Sequence, residues 1–283
     1  MQRMRIFVTG GTGFIGNHFV EQALHAGHEV TALRRAGSRP RRKLAAEPTW
    51  LEGEMTDDWR EHLCQQDALV HLAAHTANPP YDPLPACLQW NVLAPMQLAE
   101  QARLAGVRRF IVAGSCFEYG HQTLDEIPAT QALAPNNAYA TSKAAASQAF
   151  IGWALEHRLQ LHLMRVFHVY GEGEPEGRFW PALRRAARSG ADFPMSAGEQ
   201  VRDFVNVEEV ARQFVTALGF DGVADGEPCV SHVGSGQAQS LLAFAKHWWT
   251  AWGAKGQLRP GQVPYRLGEV MRLVPQLKSH HIR

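Results

Sequence analysis

Tyr139 and Lys143 stand four residues apart in Tyr139-Ala-Thr-Ser-Lys143, and Ser115 closes an apolar run earlier in the chain. On a helix the first two side chains share one face. A phenol with a pKa near 10 is a poor base at neutral pH, and bringing it to about 7 takes ~4 kcal/mol of differential stabilisation. A neighbouring ammonium and an oxidised nicotinamide ring are charges that could supply it. A serine hydroxyl beside that phenol can hold the substrate oxygen whose proton is gained or lost. Together the three read as acid/base machinery for hydride transfer, with Tyr139 moving the proton. A Tyr-x-x-x-Lys spacing alone means little, because exposed helices carry such pairs by chance.

The elements that must position these groups begin at residues 4–16, Met-Arg-Ile-Phe-Val-Thr-Gly-Gly-Thr-Gly-Phe-Ile-Gly. Ile6, Phe7 and Val8 read as a buried strand, and a helical pattern opens at Phe14, Ile15 and Phe19. Between them Gly10, Gly13 and Gly16 make a turn that lets backbone N–H groups and a helix N-terminus approach a pyrophosphate. This is a dinucleotide site by spacing and context. Strands are expected at His28–Leu33, Thr49–Leu51, Ala68–Ala74, Arg109–Ala113 and Leu161–Val166, and helices at Leu88–Ala105 (despite Pro95) and from Tyr139 to about His157. The expected fold is α/β: a Rossmann-type doubly wound parallel sheet with a small C-terminal substrate-binding lobe. Residues 1–166 form the NAD(P)-binding domain and 167–283 the lobe, partly interleaved with the Rossmann core.

The second strand ends at Arg34 and Arg35, with Arg34 lying 18 residues beyond Gly16. An acidic residue there suits the ribose 2′-OH of NAD, whereas arginine suits a 2′-phosphate. NADP is therefore expected, with NAD as the alternative. Glu54 and Asp57 follow the third strand, where a carboxylate could accept from the adenine amino group. Arg39, Arg41, Arg42 and Lys43 read as a basic, solvated loop. His71 and His75 are four apart, but a strand and its following turn would not place them on one face, so no metal is expected.

Composition bounds the class. A 45% hydrophobic and 19% charged chain of 283 residues excludes disorder, and a formal net charge of +1 gives no reason to expect nucleic acid. Cys64, Cys87, Cys116 and Cys229 lack C-x-x-C spacing, which argues against zinc and for a reducing compartment. The first strand begins at once, leaving no room for a signal peptide, and Leu241–Trp252 is too short to cross a bilayer. A soluble cytoplasmic protein without membrane partners is expected.

Taken in chain order, the chain resembles an extended short-chain dehydrogenase/reductase of the sugar-nucleotide epimerase/dehydratase family. The matching pieces are Gly10-Gly-Thr-Gly-Phe-Ile-Gly16, His71-Leu-Ala-Ala74, Asn91-Val92, Gly114-Ser-Cys-Phe-Glu-Tyr-Gly120, Tyr139-x-x-x-Lys143, Arg165-Val-Phe-His-Val-Tyr-Gly171 and Arg202-Asp-Phe-Val-Asn-Val207. The resemblance implies that Ser115, Tyr139 and Lys143 are the catalytic set. It places the cofactor against Gly10, Gly13, Phe14, Ile15 and Gly16, against Arg34, Arg35 and Glu54, and against Leu72, Ala73 and Ala74. Asn91, Tyr139 and Lys143 complete that side. Ser115, Cys116, Phe117, His168 and Arg202 would meet the substrate, Arg202 at its diphosphate. An Arg202 ion pair with Asp203 or Glu199 is the competing reading.

The departures narrow the reaction. Dehydratases of this type carry an Asp-Glu pair where this chain has Cys116 and Phe117; C3/C5 epimerases such as GDP-fucose synthase carry cysteine and histidine where it has Phe117 and Gly173. His168 replaces a more usual asparagine, and the C-terminal segment is shorter than usual, so the substrate lobe is expected to be simplified. The expected reaction is reduction of a 4-keto-6-deoxyhexose nucleotide; the alternative is a nucleotide-sugar 4-epimerase resembling UDP-glucose 4-epimerase. A non-catalytic NAD(P) sensor would have no need of Ser115, Tyr139 and Lys143 together. By resemblance, helices Leu88–Ala105 and Tyr139–His157 pair across a twofold axis into a homodimer, with burial within the monomer competing for their apolar residues.

Overall fold

Continuous apolar runs with helices between them dictate a parallel sheet covered on both faces. A computed structural model, describing residues 2–266 and 268–282, has this arrangement. In chain order its elements begin β1 (Arg5–Thr9), α1 (Phe14–His25), β2 (Glu29–Arg34), β3 (Thr49–Glu52), α2 (Arg60–Leu63) and β4 (Ala68–His71). α3 (Leu84–Leu88), a π-turn (Gln89–Leu93) and α4 (Ala94–Leu104) follow, then β5 (Arg109–Ser115), a 3-10 turn (Cys116–Tyr119), α5 (Ala138–Glu156) and β6 (Gln160–Val166). The remainder is β7 (His168–Tyr170), α6 (Phe179–Ser189), β8 (Phe193–Met195), β9 (Val201–Asn206), α7 (Val207–Ala217), β10 (Cys229–Val233), β11 (Ala238–Ser240), α8 (Leu241–Ala251), β12 (Leu258–Pro260), β13 (Arg272–Leu273) and β14 (His280–His281).

The main sheet runs β14-β10-β6-β5-β4-β1-β2-β3 and is parallel except for β14. The chain winds outward from β1 to β3 and then returns to β4 beside β1, so the winding reverses between those two strands. A crevice opens at such a reversal, beyond the carboxyl ends of the strands. One face is covered by α1 and α7, where Phe19 meets Phe214 edge-to-face at 6.5 Å between ring centroids. On the other, α4 and α5 bring Leu98, Phe150 and Trp153 over Phe110. Burying side chains of this size stabilises by roughly 1.5–3 kcal/mol each.

Elements after 166 divide between sheets. β10 and β14 extend the main sheet, whereas β7, β9, β11 and β13 form a second one. α6 and α8 pack against the β8/β12 pair through Leu183, Met195 and Trp249. The expected helix Leu88–Ala105 is instead three segments starting at Leu84: Pro95 has no N–H to give, and the turn ahead of it widens into the π-turn. β4 stops at His71 rather than Ala74, because the chain must leave the sheet to line the crevice.

Candidate active site

A cavity of about 930 Å³ occupies the crevice. Its floor is the β1–α1 turn. Gly10 has φ +78°, and a Cβ there would lie 2.5 Å from the Ala73 backbone nitrogen. A Cβ at Gly16 would lie 2.0 Å from the Gly10 carbonyl oxygen. Only glycine lets the turn, the β4 end and the helix start approach this closely. Gly13, Phe14 and Ile15 line the same floor, and Gly13 caps α1 without a side-chain hydrogen bond, leaving the helix N-terminus open to an anion. Leu72, Ala73 and Ala74 form the wall opposite. This cradle fits a dinucleotide pyrophosphate.

Arg34 and Arg35 line the cavity at the β2 end, joined by Ser38, Arg39 and Arg41 from the loop that the sequence suggested was merely solvated. The Arg34 guanidinium donates to the Glu52 carboxylate at 2.7 Å and lies over the Trp50 ring. Glu54 lines the cavity; Asp57 does not, because its carboxylate accepts the Glu54 backbone N–H at 2.8 Å. Asn91 also stands behind the wall. Its side chain accepts from the His75 N–H at 2.7 Å and donates to the Ser142 hydroxyl at 2.9 Å, while Trp90 faces the cavity. It braces the β4 exit against α5 rather than lining the cofactor space.

Ser115, Tyr139 and Lys143 converge on one stretch of this cavity. Ser115 ends β5, and the Asn137 side chain caps α5 on the Ala140 N–H at 2.9 Å, fixing the turn that presents Tyr139. The Lys143 ammonium donates to the Ala113 carbonyl at 2.7 Å. Burial pushes the Tyr139 phenol well above its ordinary pKa; the Ser115 side chain offsets part of this, while Cys116, Glu118 and Tyr81 add to it. Lys143, buried too, is held below its ordinary value, with Glu118 opposing. The Tyr81 ring stacks on that of Tyr139, 5.8 Å between centroids and 13° from parallel.

Cys116, Phe117 and His168 line the cavity beside Ser115, Tyr139 and Lys143. Burial pushes the Cys116 thiol up to about 12, so it is neutral and no nucleophile. His168 sits edge-on to Phe117 at 5.6 Å, its Nδ1 has no partner, and burial with Arg202 and Arg178 nearby keeps it neutral. Arg202 is not on the cavity wall. It is buried, donating to the Glu269 carboxylate at 2.9 Å and to the Val270 carbonyl. Of the two expected competing partners, Asp203 accepts from the Ser235 and Gly236 N–H groups and Glu199 accepts from the Tyr265 hydroxyl. Arg178 does line the cavity, its Nε 3.1 Å from the buried Glu174 carboxylate. Sequence reasoning missed Arg178, Glu174 and Tyr81; the glycine- and glutamate-rich 171–177 segment carried the only signal for the first two. Among the described residues no three His, Cys, Asp or Glu side chains gather as a metal site, and no helix is long and apolar enough to cross a membrane.

Residues 6–228 match the profile of the NAD dependent epimerase/dehydratase family. The chain is 27% identical to a UDP-glucose 4-epimerase of Lacticaseibacillus casei, over 96% of this chain and 88% of the relative. It is 26% identical to a dTDP-6-deoxy-L-talose 4-dehydrogenase (NAD(+)) of Aggregatibacter actinomycetemcomitans, over 74% of this chain and 78% of the relative. Among solved structures, MoeE5 in complex with UDP-glucose and NAD superposes with a TM-score of 0.83 at 28% identity, covering 97% of this chain and 90% of the other.

Proposed function

The chain belongs to the NAD dependent epimerase/dehydratase family, and on that premise we propose that it reduces the C4 ketone of a 4-keto-6-deoxyhexose nucleotide. One observation carries the reading: Ser115, Tyr139 and Lys143 converge on one stretch of the cavity, beside Cys116 and Phe117 rather than a pair of carboxyls. A nicotinamide cofactor held over the Gly10–Gly16 turn would supply hydride chemistry when bound. Tyr139 gives its proton to O4, Ser115 hydrogen-bonds that oxygen, and Lys143 carries the positive charge beside them. Cys116 and Phe117 offer no carboxyl for elimination at C6, and Phe117 presents an apolar surface that suits a methyl group there. Arg178, which lines the cavity, meets the substrate diphosphate, a task to which a planar guanidinium is suited.

NADPH is the reductant in this reading, supported by Arg34, Arg35, Arg39 and Arg41 around the adenosine end; the structural neighbour named above binds NAD. The substrate lobe is taken as 167–283, partly interleaved with the Rossmann core through α7, β10 and β14, and the assembly as a cytoplasmic homodimer, its face marked by exposed Leu84, Leu93 and Leu155. A second reading, 4-epimerisation, is favoured by the breadth of the match to the UDP-glucose 4-epimerase. Deuterated NADPH separates them: a reductase places deuterium at C4 of the released sugar nucleotide, and an epimerase returns the hydride it removed and places none.

A further inference from the structure

Glu118 lies behind the reacting side chains and is fully buried. Its Oε1 accepts the Ser115 backbone N–H at 2.7 Å; its Oε2 accepts the Ser147 hydroxyl at 2.7 Å and the Arg165 Nε at 2.8 Å. Ser147 continues the Tyr139–Lys143 stripe of α5 by one further step of four, so all three face the same way. One carboxylate thus ties the strand end presenting Ser115 to the helix presenting Tyr139 and Lys143. The sheet makes room for it. Gly114 pairs with Arg165 across β5 and β6, and a Cβ on Gly114 would come within 2.8 Å of the Arg165 side chain and 2.9 Å of Glu118 Oε1.

Stability alone is a weak reason for such an arrangement, since a buried ion pair rarely outperforms well-packed apolar side chains. The surrounding groups also confine the charge. Arg165 donates to the Tyr119 hydroxyl at 2.8 Å, and that hydroxyl lies 2.6 Å from His232 Nε2. Burial lowers His232 to about 4 and raises Tyr119 to about 12, so both stay neutral. Tyr139 is faced by Ser115, Cys116, Tyr81 and Glu118. Lys143 is faced by Glu118 and by His71, which burial lowers to about 3 and keeps neutral. Glu118, paired with Arg165 at 2.8 Å, is the carboxyl that Tyr139 and Lys143 share.

We propose that Glu118 is the positioning residue of the site, holding Ser115 against the Tyr139–Lys143 stripe with its carboxylate turned toward both. The proposal rests on the catalytic reading of Ser115, Tyr139 and Lys143 given above, and the first of its two tests, a titration, needs no substrate. The near-ultraviolet tyrosinate absorbance is titrated with saturating oxidised cofactor, and the Tyr139→Phe protein identifies the band that belongs to Tyr139. Glu118→Gln removes the anion and leaves Arg165 unbalanced, so the Tyr139 midpoint should fall by about one pH unit. A midpoint that stays or rises overturns the proposal. Ser147→Ala keeps the charge and removes only the tie to α5; turnover should drop about tenfold with the midpoint unmoved. If Glu118→Gln does not fold, Ser147→Ala decides by itself, and unchanged turnover counts against the proposal. Failure of the reductase reading would show separately, as absence of NADPH consumption by the unmodified protein.

Discussion

The Arg34 guanidinium is bound to the Glu52 carboxylate at 2.7 Å and stacked 5.2 Å from the centre of the Trp50 ring, at the edge of the cavity where β2 and β3 end. The cation is thus held in place but partly neutralised. A 2′-phosphate would compete with Glu52 for it, and charge-assisted hydrogen bonds contribute roughly 1.5–3 kcal/mol each. Arg34→Asp should therefore reverse an NADPH preference by at least about tenfold, and Glu52→Gln should tighten NADPH binding while leaving NADH little changed. Calorimetric titration of both cofactors checks this; tighter NADH binding by the unmodified protein would contradict it.

Tyr139→Phe keeps the ring that stacks against Tyr81 and removes the transferable proton. Turnover should fall by ~10²–10⁴ with cofactor affinity little altered. Lys143→Ala should weaken both. Near-normal turnover of Tyr139→Phe on a confirmed substrate would dismiss the acid/base assignment.

Burial raises the Glu174 carboxyl to about 7, with Arg178 pulling the other way. The folded chain keeps a proton that the unfolded chain gives up. Its contribution is fully present below the unfolded pKa, near 4, and is lost as pH rises through about 7. The cost above that is on the order of 3 kcal/mol. Glu174→Gln should remove it, so the Tm of the unmodified protein should drop relative to the variant between about pH 5 and 8. Parallel Tm curves would show that Glu174 is not the titrating group.

Arg178→Ala should raise KM for a nucleotide sugar about tenfold or more, with the buried Glu174 carboxyl taking up a proton in place of its lost cation. Arg202→Ala should instead cost about 3 kcal/mol of stability, because it strips a buried pair with Glu269 of its cation. Denaturation curves beside KM values separate the two. The opposite pattern would return the diphosphate role to Arg202.

Much of this site is legible in the sequence because it is local. The glycine turn at 10–16 and the Tyr139–Lys143 step each lie within two turns of chain, and apolar runs mark β1, β4 and β6. What was illegible depends on distant partners. Arg202 stands in a recognisable motif, but Glu269, which ties it up, lies 67 residues further on. Arg178 and Tyr81 sit in segments with no period to read, and strands of two or three residues such as β13 and β8 are too short to show alternation. The apolar positions expected to pair two copies divide: Leu98, Phe150, Ile151 and Trp153 are buried within the chain, whereas Leu93 is 54% and Leu155 37% exposed. Light scattering should give twice the mass of the 31.4 kDa chain, and Leu93→Glu should lower it; a monomer at micromolar concentration would contradict the homodimer.

The central claim is net reduction at C4. NADPH absorbance is followed with dTDP-4-keto-6-deoxyglucose, beside a coupled assay for interconversion of UDP-glucose and UDP-galactose. The site described here predicts stoichiometric loss of NADPH with the first and no conversion in the second. Interconversion of the two UDP-hexoses without net consumption of NADPH would contradict it.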